Sequence, residues 1–210
     1  MLKESFIKKN LSEEKPSKKL LYIHGLSSSG MSATAGTLRK LLPEYEVLSP
    51  DLPVNPQEAF SMLKELCEIE HPDIIVGTSM GGMFTQLLKG YKRILVNPAF
   101  HVSEFMRTII GTQEFLNPRQ DGETHFEITP ELCDAYQKLE SCQFENITDF
   151  DIKYTYALFG RNDTLVNGFD EYTSHYDNVI WFDGGHRLDN TVIENILVPL
   201  IKRESIWKTY

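Results

Sequence analysis

The pentapeptide Gly77-Thr78-Ser79-Met80-Gly81 has the pattern G-x-S-x-G, directly after the β-branched run Ile74-Ile75-Val76 and at the start of a segment with helical spacing, residues 80–89. A serine on such a strand-to-helix turn holds a strained backbone. Both flanking positions must be glycine so that no side chain strikes the adjoining strand or helix. The turn would lift the Ser79 hydroxyl out of the sheet and set it at a helix N-terminus, whose partial positive charge favours a developing anion. That is the chemistry of a nucleophile attacking an acyl carbonyl. Gly82, next along, lets the helix lie close to the sheet.

A nucleophilic serine needs a base, and the base needs an acid that fixes its tautomer. For a nucleophile on this kind of turn the expected chain order is Ser, then Asp or Glu, then His. His24 and His71 precede Ser79, His101 and His125 lie in or beside an insertion, and His175 falls in a segment of helical character. His186, in Asp183-Gly184-Gly185-His186, follows the last strand-like run in a glycine-flanked loop and is the expected base. Asp163, in Phe159-Gly160-Arg161-Asn162-Asp163, follows the run before it and is the expected acid, staying ionised while it accepts the Nδ1 proton of His186. Asp170 and Asp177 fall where a helix is expected. Asp183 is too near His186 in sequence to approach its ring easily.

Acyl transfer also needs two N–H groups aimed at the tetrahedral oxyanion, each worth about 10²–10³ in turnover. Met80, the residue after the nucleophile, supplies one. The loop His24-Gly25-Leu26 after the first strand-like run supplies the other through Leu26, with His24 orienting the loop. The neighbouring Ser27-Ser28-Ser29-Gly30 lacks the G-x-x-x-x-G-K pattern of a phosphate cradle.

The elements that must position these groups are legible as short apolar runs ending in glycine or proline turns: Leu20-Leu21-Tyr22-Ile23, Val47-Leu48, Ile74-Ile75-Val76, Ile94-Leu95-Val96, residues 154–159, and Val179-Ile180-Trp181-Phe182. None alternates with polar residues, so each reads as a strand covered on both faces. Helical spacing covers residues 33–42 after Ser32, 57–70, 80–89 before Gly90, and 191–202, the last interrupted by Pro199. Strands alternating with helices imply an α/β fold with a mainly parallel central sheet and helices on both faces, the chemistry lying at the carboxyl ends of the strands.

Residues 98–150 break this rhythm. They are too many for one crossover helix, so residues 1–210 read as a single domain carrying a helical cap insertion over about 98–150. The insertion offers a helix at 102–110, a polar loop at Asn117-Pro118-Arg119-Gln120-Asp121-Gly122, and a helix at 130–140 after Thr129. Phe100, Phe105, Met106, Ile109, Ile110, Phe115 and Leu116 either line an acyl pocket or simply pack the insertion onto the domain.

Composition narrows the classes. The 210 residues carry 21 Lys+Arg against 30 Asp+Glu, a net charge of −9, which disfavours binding nucleic acid through phosphate neutralisation. Lys3, Lys8, Lys9, Lys15, Lys18 and Lys19 form a solvated basic edge near the start. Cys67, Cys133 and Cys142 are odd in number, with no C-x-x-C spacing, and read as reduced thiols. With neither a signal-peptide run nor a span of about 18 apolar residues, a soluble cytoplasmic protein is expected.

Strand, His24-Gly25-Leu26 loop, Ser79 turn, post-strand Asp163 and terminal-loop His186, in that order, resemble an α/β-hydrolase over nearly the whole length. More narrowly, the segments from Leu21 to Ser29 and from Gly77 to Gly82, with the turn Val96-Asn97-Pro98-Ala99, are similar to the small YqiA/YcfP-like esterases. The resemblance implies a cofactor-independent hydrolase of a small-molecule carboxylic ester or acyl thioester. It assigns the catalytic roles to Ser79, Asp163 and His186 and the oxyanion hole to Leu26 and Met80. The same triad acts on thioesters, amides or carbon–carbon bonds, and the fold also serves as a catalytically silent binding module, so the substrate and the oligomeric state stay open.

Overall fold

The computed structural model describes residues 18–207. All six expected runs enter one parallel sheet. Its strands are β1 (Lys18–Ile23), β2 (Tyr45–Leu48), β3 (Ile74–Thr78), β4 (Arg93–Val96), β7 (Thr155–Gly160) and β8 (Val179–Phe182), with a separate pair, β5 (Gly111–Glu114) and β6 (His125–Ile128), between β4 and β7 in the chain. The spatial order is β2-β1-β3-β4-β7-β8. From β1 the chain steps outward to β2, then returns to the other side of β1 and continues through β3 to β8. The loops leaving β1 and β3 therefore part in opposite directions and open a crevice at the carboxyl edge.

Side-chain alternation explains why these strands look apolar throughout. Leu20, Tyr22, Ile74, Val76, Ile94 and Val96 pack on one face with α1 (Ala33–Leu41) and the C-terminal helices. Leu21, Ile23 and Ile75 pack on the other with α2 (Pro56–Glu70) and α3 (Met80–Leu87). α1 and α2 begin where short polar side chains satisfy their first N–H groups. Ser32 accepts from Ala35 N, and Asn55 accepts from Gln57 N and Glu58 N. α3 stops at Leu87, ahead of the expected end at 89, because Leu88 leaves the helical conformation at ψ 85° while its N–H still donates to Phe84 O and Thr85 O, and Gly90 then turns at φ +83°.

The insertion contains α4 (Val102–Arg107), α5 (Pro130–Glu140) and, between them, the antiparallel pair of β5 and β6. α4 ends three residues early, and Gly111, at φ +121°, starts β5. The polar loop over 117–122 thus lies in the turn of a hairpin, an element absent from the sequence reading. α6 (Asp149–Tyr154) takes up Tyr154, expected to open the next strand, with Thr148 and Asp151 forming a reciprocal cap at its start. Arg93 and Asp151, both fully buried and 3.0 Å apart, tie this end of the insertion to the start of β4.

α7 (Phe169–Thr173) follows β7, and the chain closes with α8 (Asn190–Val192), a π-helical turn (Ile193–Leu197), α9 (Val198–Lys202) and α10 (Glu204–Trp207). Pro199 does not break this run: the wider π turn before it takes up the ring that would clash in an α-helix. The lysine-rich edge lies outside the described residues except for Lys18 and Lys19, which pair with Glu204 and Glu70.

Candidate active site

Ser79 sits between β3 and α3 at φ 55° and ψ −121°, a backbone region that side chains rarely enter and that costs about 1–3 kcal/mol. Its glycine neighbours are required by contact. A Cβ on Gly77 would come within 2.1 Å of Gly81 O and of Thr85 Oγ1, and one on Gly81 within 2.0 Å of Ile23 O. The strain is held from the next strand: Ser79 N donates to Val96 O at 3.0 Å, and Ala99 N donates to Ser79 O at 3.0 Å.

Three loops at the carboxyl edge bring together the three residues picked for triad roles. The register pairs Thr78 with Val96, Val96 with Leu158, and Gly160 with Phe182, so β3, β7 and β8 finish near one level. His186 Nε2 lies 2.9 Å from Ser79 Oγ, and His186 Nδ1 lies 2.8 Å from Asp163 Oδ2. Asp163 Oδ1 accepts from Leu165 N at 2.8 Å and Val166 N at 3.2 Å, which leaves Oδ2 for the imidazole. With its side chain only 6% exposed, the carboxylate keeps these partners away from competing water.

Leu26 and Met80 come from the two loops that bound the crevice. Gly25 presses the β1 loop against the nucleophile, its notional Cβ being 3.2 Å from Ser79 Cβ. Among the described residues, neither the Leu26 N–H nor the Met80 N–H donates to a protein acceptor. His24 is buried behind this loop, its Nδ1 2.9 Å from Gly25 O and its Nε2 accepting from Leu52 N at 3.3 Å. Only a neutral imidazole protonated at Nδ1 satisfies both contacts. Burial, the largest influence, lowers its pKa and agrees with that state.

Residues 19–201 match the uncharacterised protein family UPF0227. The chain belongs to the UPF0227 family. Its fold is that of the α/β-hydrolases, as three solved structures illustrate. Est1E from Butyrivibrio proteoclasticus is 17% identical at a TM-score of 0.56, with 95% of this chain and 92% of that one covered. The monoacylglycerol lipase of Paleococcus ferrophilus is 12% identical at 0.58, covering 90% and 92%. The esterase domain of a Rhodothermus marinus protein is 14% identical at 0.59, covering 93% and 89%. In this UPF0227 chain, then, the motif segments around Leu26, Ser79 and Asn97 sit at the carboxyl edge of an α/β-hydrolase sheet.

Beside Leu26 and Met80 a half-open apolar pocket runs under the insertion, walled by Leu52, Val54, Met106, Phe115, Phe126 and Tyr136. Of the seven apolar insertion residues considered from sequence, Met106 and Phe115 line it. Phe100 instead packs in a separate cluster with Leu95 and Tyr172, while Phe105, Ile110 and Leu116 are exposed. Phe126 and Tyr136 are lining residues that the sequence reading missed. Phe126 and Ile128 alternate as inward residues of β6, and Cys133, Tyr136 and Leu139 share the inward face of α5, which is the periodic signal that could have found them.

Arg119 reaches this pocket with its charge already matched by Asp121 at 2.6 Å, its guanidinium 4.4 Å from the Phe115 ring centre. The insertion is also sewn to the β1 loop. Leu116 N donates to Ser27 O, Ser29 Oγ to Pro118 O, and Asp51 accepts from both Gly30 N and Gln120 N.

Proposed function

We propose that this chain is a serine hydrolase that cleaves a small-molecule carboxylic ester or acyl thioester through an acyl-serine intermediate. The observation that carries the reading is the continuous contact from Ser79 Oγ through both nitrogens of His186 to Asp163. His186 Nε2 takes the hydroxyl proton as Ser79 Oγ attacks the acyl carbonyl. The imidazolium then returns that proton to the departing alcohol or thiol, leaving the acyl group on Ser79. Water repeats the sequence, giving the carboxylic acid and restoring the serine. Asp163 stays ionised, holding the Nδ1 proton and the orientation of the ring.

The Leu26 and Met80 N–H groups receive the oxyanion, with the N-terminus of α3 adding its dipole. No step of this chemistry calls for a cofactor. In this reading the chain is one catalytic domain, and residues 98–150 are its cap. Met106, Phe115, Phe126 and Tyr136 support an uncharged acyl chain as the pocket's occupant, since Arg119, the charged residue among its described lining, is already paired. Among the described residues no helix is long and apolar enough to cross a membrane.

Hydrolysis of p-nitrophenyl esters and acyl thioesters by the wild type and Ser79→Ala tests the reading. It predicts turnover by the wild type and a loss of about 10⁶ in kcat on removing the hydroxyl. A wild type inert toward both substrate classes, or a Ser79→Ala variant with unchanged kcat, would overturn it.

A further inference from the structure

We infer that Asn97 is a positioning residue that holds the loops of His186 and Asp163 in register with Ser79, an inference resting on the serine-hydrolase reading above. Asn97 follows β4 immediately, is 1% exposed, and adopts φ +43°, a left-handed conformation that asparagine tolerates better than most side chains. Its Nδ2 donates to Gly185 O and to His186 O, both at 3.0 Å. Its Oδ1 accepts from Gly160 N at 2.7 Å. The carboxamide can face only one way, because two carbonyls require its donor end and an N–H requires its acceptor end.

Each contact bears on a different arm of the site. The two carbonyls belong to the base loop, where Gly184 and Gly185 leave the backbone before His186 with little stiffness of its own. Gly160 anchors the acid loop, since Asp163 N donates back to Gly160 O at 3.1 Å. The residues flanking Asn97 hold the nucleophile, through Val96 O on Ser79 N and Ala99 N on Ser79 O. One buried turn thus touches all three loops without reaching a reacting atom. Asparagine alone combines the left-handed backbone, the short reach and the two-ended hydrogen bonding. Glycine keeps the backbone and loses the clip. Aspartate keeps the acceptor for Gly160 and faces two carbonyl oxygens with no donor.

The test compares the wild type with Asn97→Gly and the near-isosteric Asn97→Asp, each checked for folding by circular dichroism. Two readouts are used: ester hydrolysis, and ¹H–¹⁵N spectra of the His186 ring without substrate, assigned against His186→Gln. A misplacement of about 1 Å can cost 10²-fold in rate. Accordingly the folded variants should lose about 10- to 100-fold in kcat with KM within about threefold, and the single Nδ1–H tautomer of His186 should give way to exchange between tautomers. Should one variant fail to fold, the other decides. Unchanged kcat with an unchanged His186 spectrum would overturn the inference. So would an activity loss matching the unfolded fraction while the folded fraction keeps the wild-type spectrum. A wild type that hydrolyses neither ester nor thioester would sink the serine-hydrolase reading, while the spectra would still decide whether Asn97 fixes the His186 ring.

Discussion

Asp163 Oδ2 lies 2.8 Å from His186 Nδ1, while the other carboxylate oxygen is occupied by two backbone N–H groups. The carboxylate therefore offers the imidazole an acceptor and nothing else, which puts the ring proton on Nδ1 and leaves Nε2 free to accept from Ser79. Asp163→Asn would present an amide N–H instead and favour the opposite tautomer. We expect kcat to fall about 10⁴-fold with the fold intact, measured with a p-nitrophenyl ester. A loss below tenfold would mean that another group serves as the acid.

Phe115 walls the pocket from the insertion side and is half-buried, so it can be cut back more safely than Met106. Each methylene that a hydrophobic pocket accepts or rejects is worth about 1–3 kcal/mol. Phe115→Ala should therefore raise kcat/KM for longer acyl chains about tenfold relative to acetyl, in a series of p-nitrophenyl esters. An unaltered chain-length profile would place the acyl group elsewhere.

His24 carries a pH dependence whose sign follows from burial. Its pKa in the folded chain is lowered, chiefly by burial, with Arg119 acting in the same direction and Gly25 O and Asp51 against it. Unfolded, it titrates near pH 6.5. The unfolded chain then binds the proton more readily, so this contribution to stability is complete above about pH 6.5 and is lost as pH falls below it. Thermal unfolding of the wild type and His24→Gln between pH 7.5 and 5.5 isolates the effect: the gap between them should narrow on acidification. A constant gap would show that His24 does not titrate on unfolding.

The buried pair of Arg93 and Asp151 fixes the end of the insertion. Burial alone would raise the Asp151 pKa, but Thr148, the Gly90 N–H and Arg93 together hold it below the ordinary carboxylate range. Asp151→Ala would leave a buried guanidinium without its counter-charge and should destabilise the fold by about 3–5 kcal/mol in urea unfolding. Replacing both members by apolar residues should recover the part due to the unpaired charge, while the loss of the Thr148 cap and of the acceptor for Gly90 N–H stays. A single variant within about 1 kcal/mol of wild type would contradict the role given to the pair.

The sheet was legible because buried parallel strands are continuous apolar runs, and the placing of Ser79, Asp163 and His186 together at its carboxyl edge was legible because each lies a few residues beyond such a run. Gly111-Thr112-Gln113-Glu114 contains no apolar residue, so nothing in it announced β5; its partner β6 has only Phe126 and Ile128 facing inward. Within the insertion, periodicity marks residues as buried without saying against what, which is why Phe100 and Met106 looked equivalent and pack in different clusters. Asn97 shows the same limit. The Asn-Pro step identifies a turn, but its partners Gly160, Gly185 and His186 lie far along the chain and are brought to it only by the order of the sheet.

The central claim is that Ser79 is a nucleophile activated by His186. Incubation with a fluorophosphonate at pH 8, followed by mass spectrometry of the peptides, tests it directly. The account predicts one phosphonyl adduct per chain, located on Ser79 and absent from Ser79→Ala. A wild-type protein that stays unlabelled, or an adduct that persists in Ser79→Ala, would contradict it.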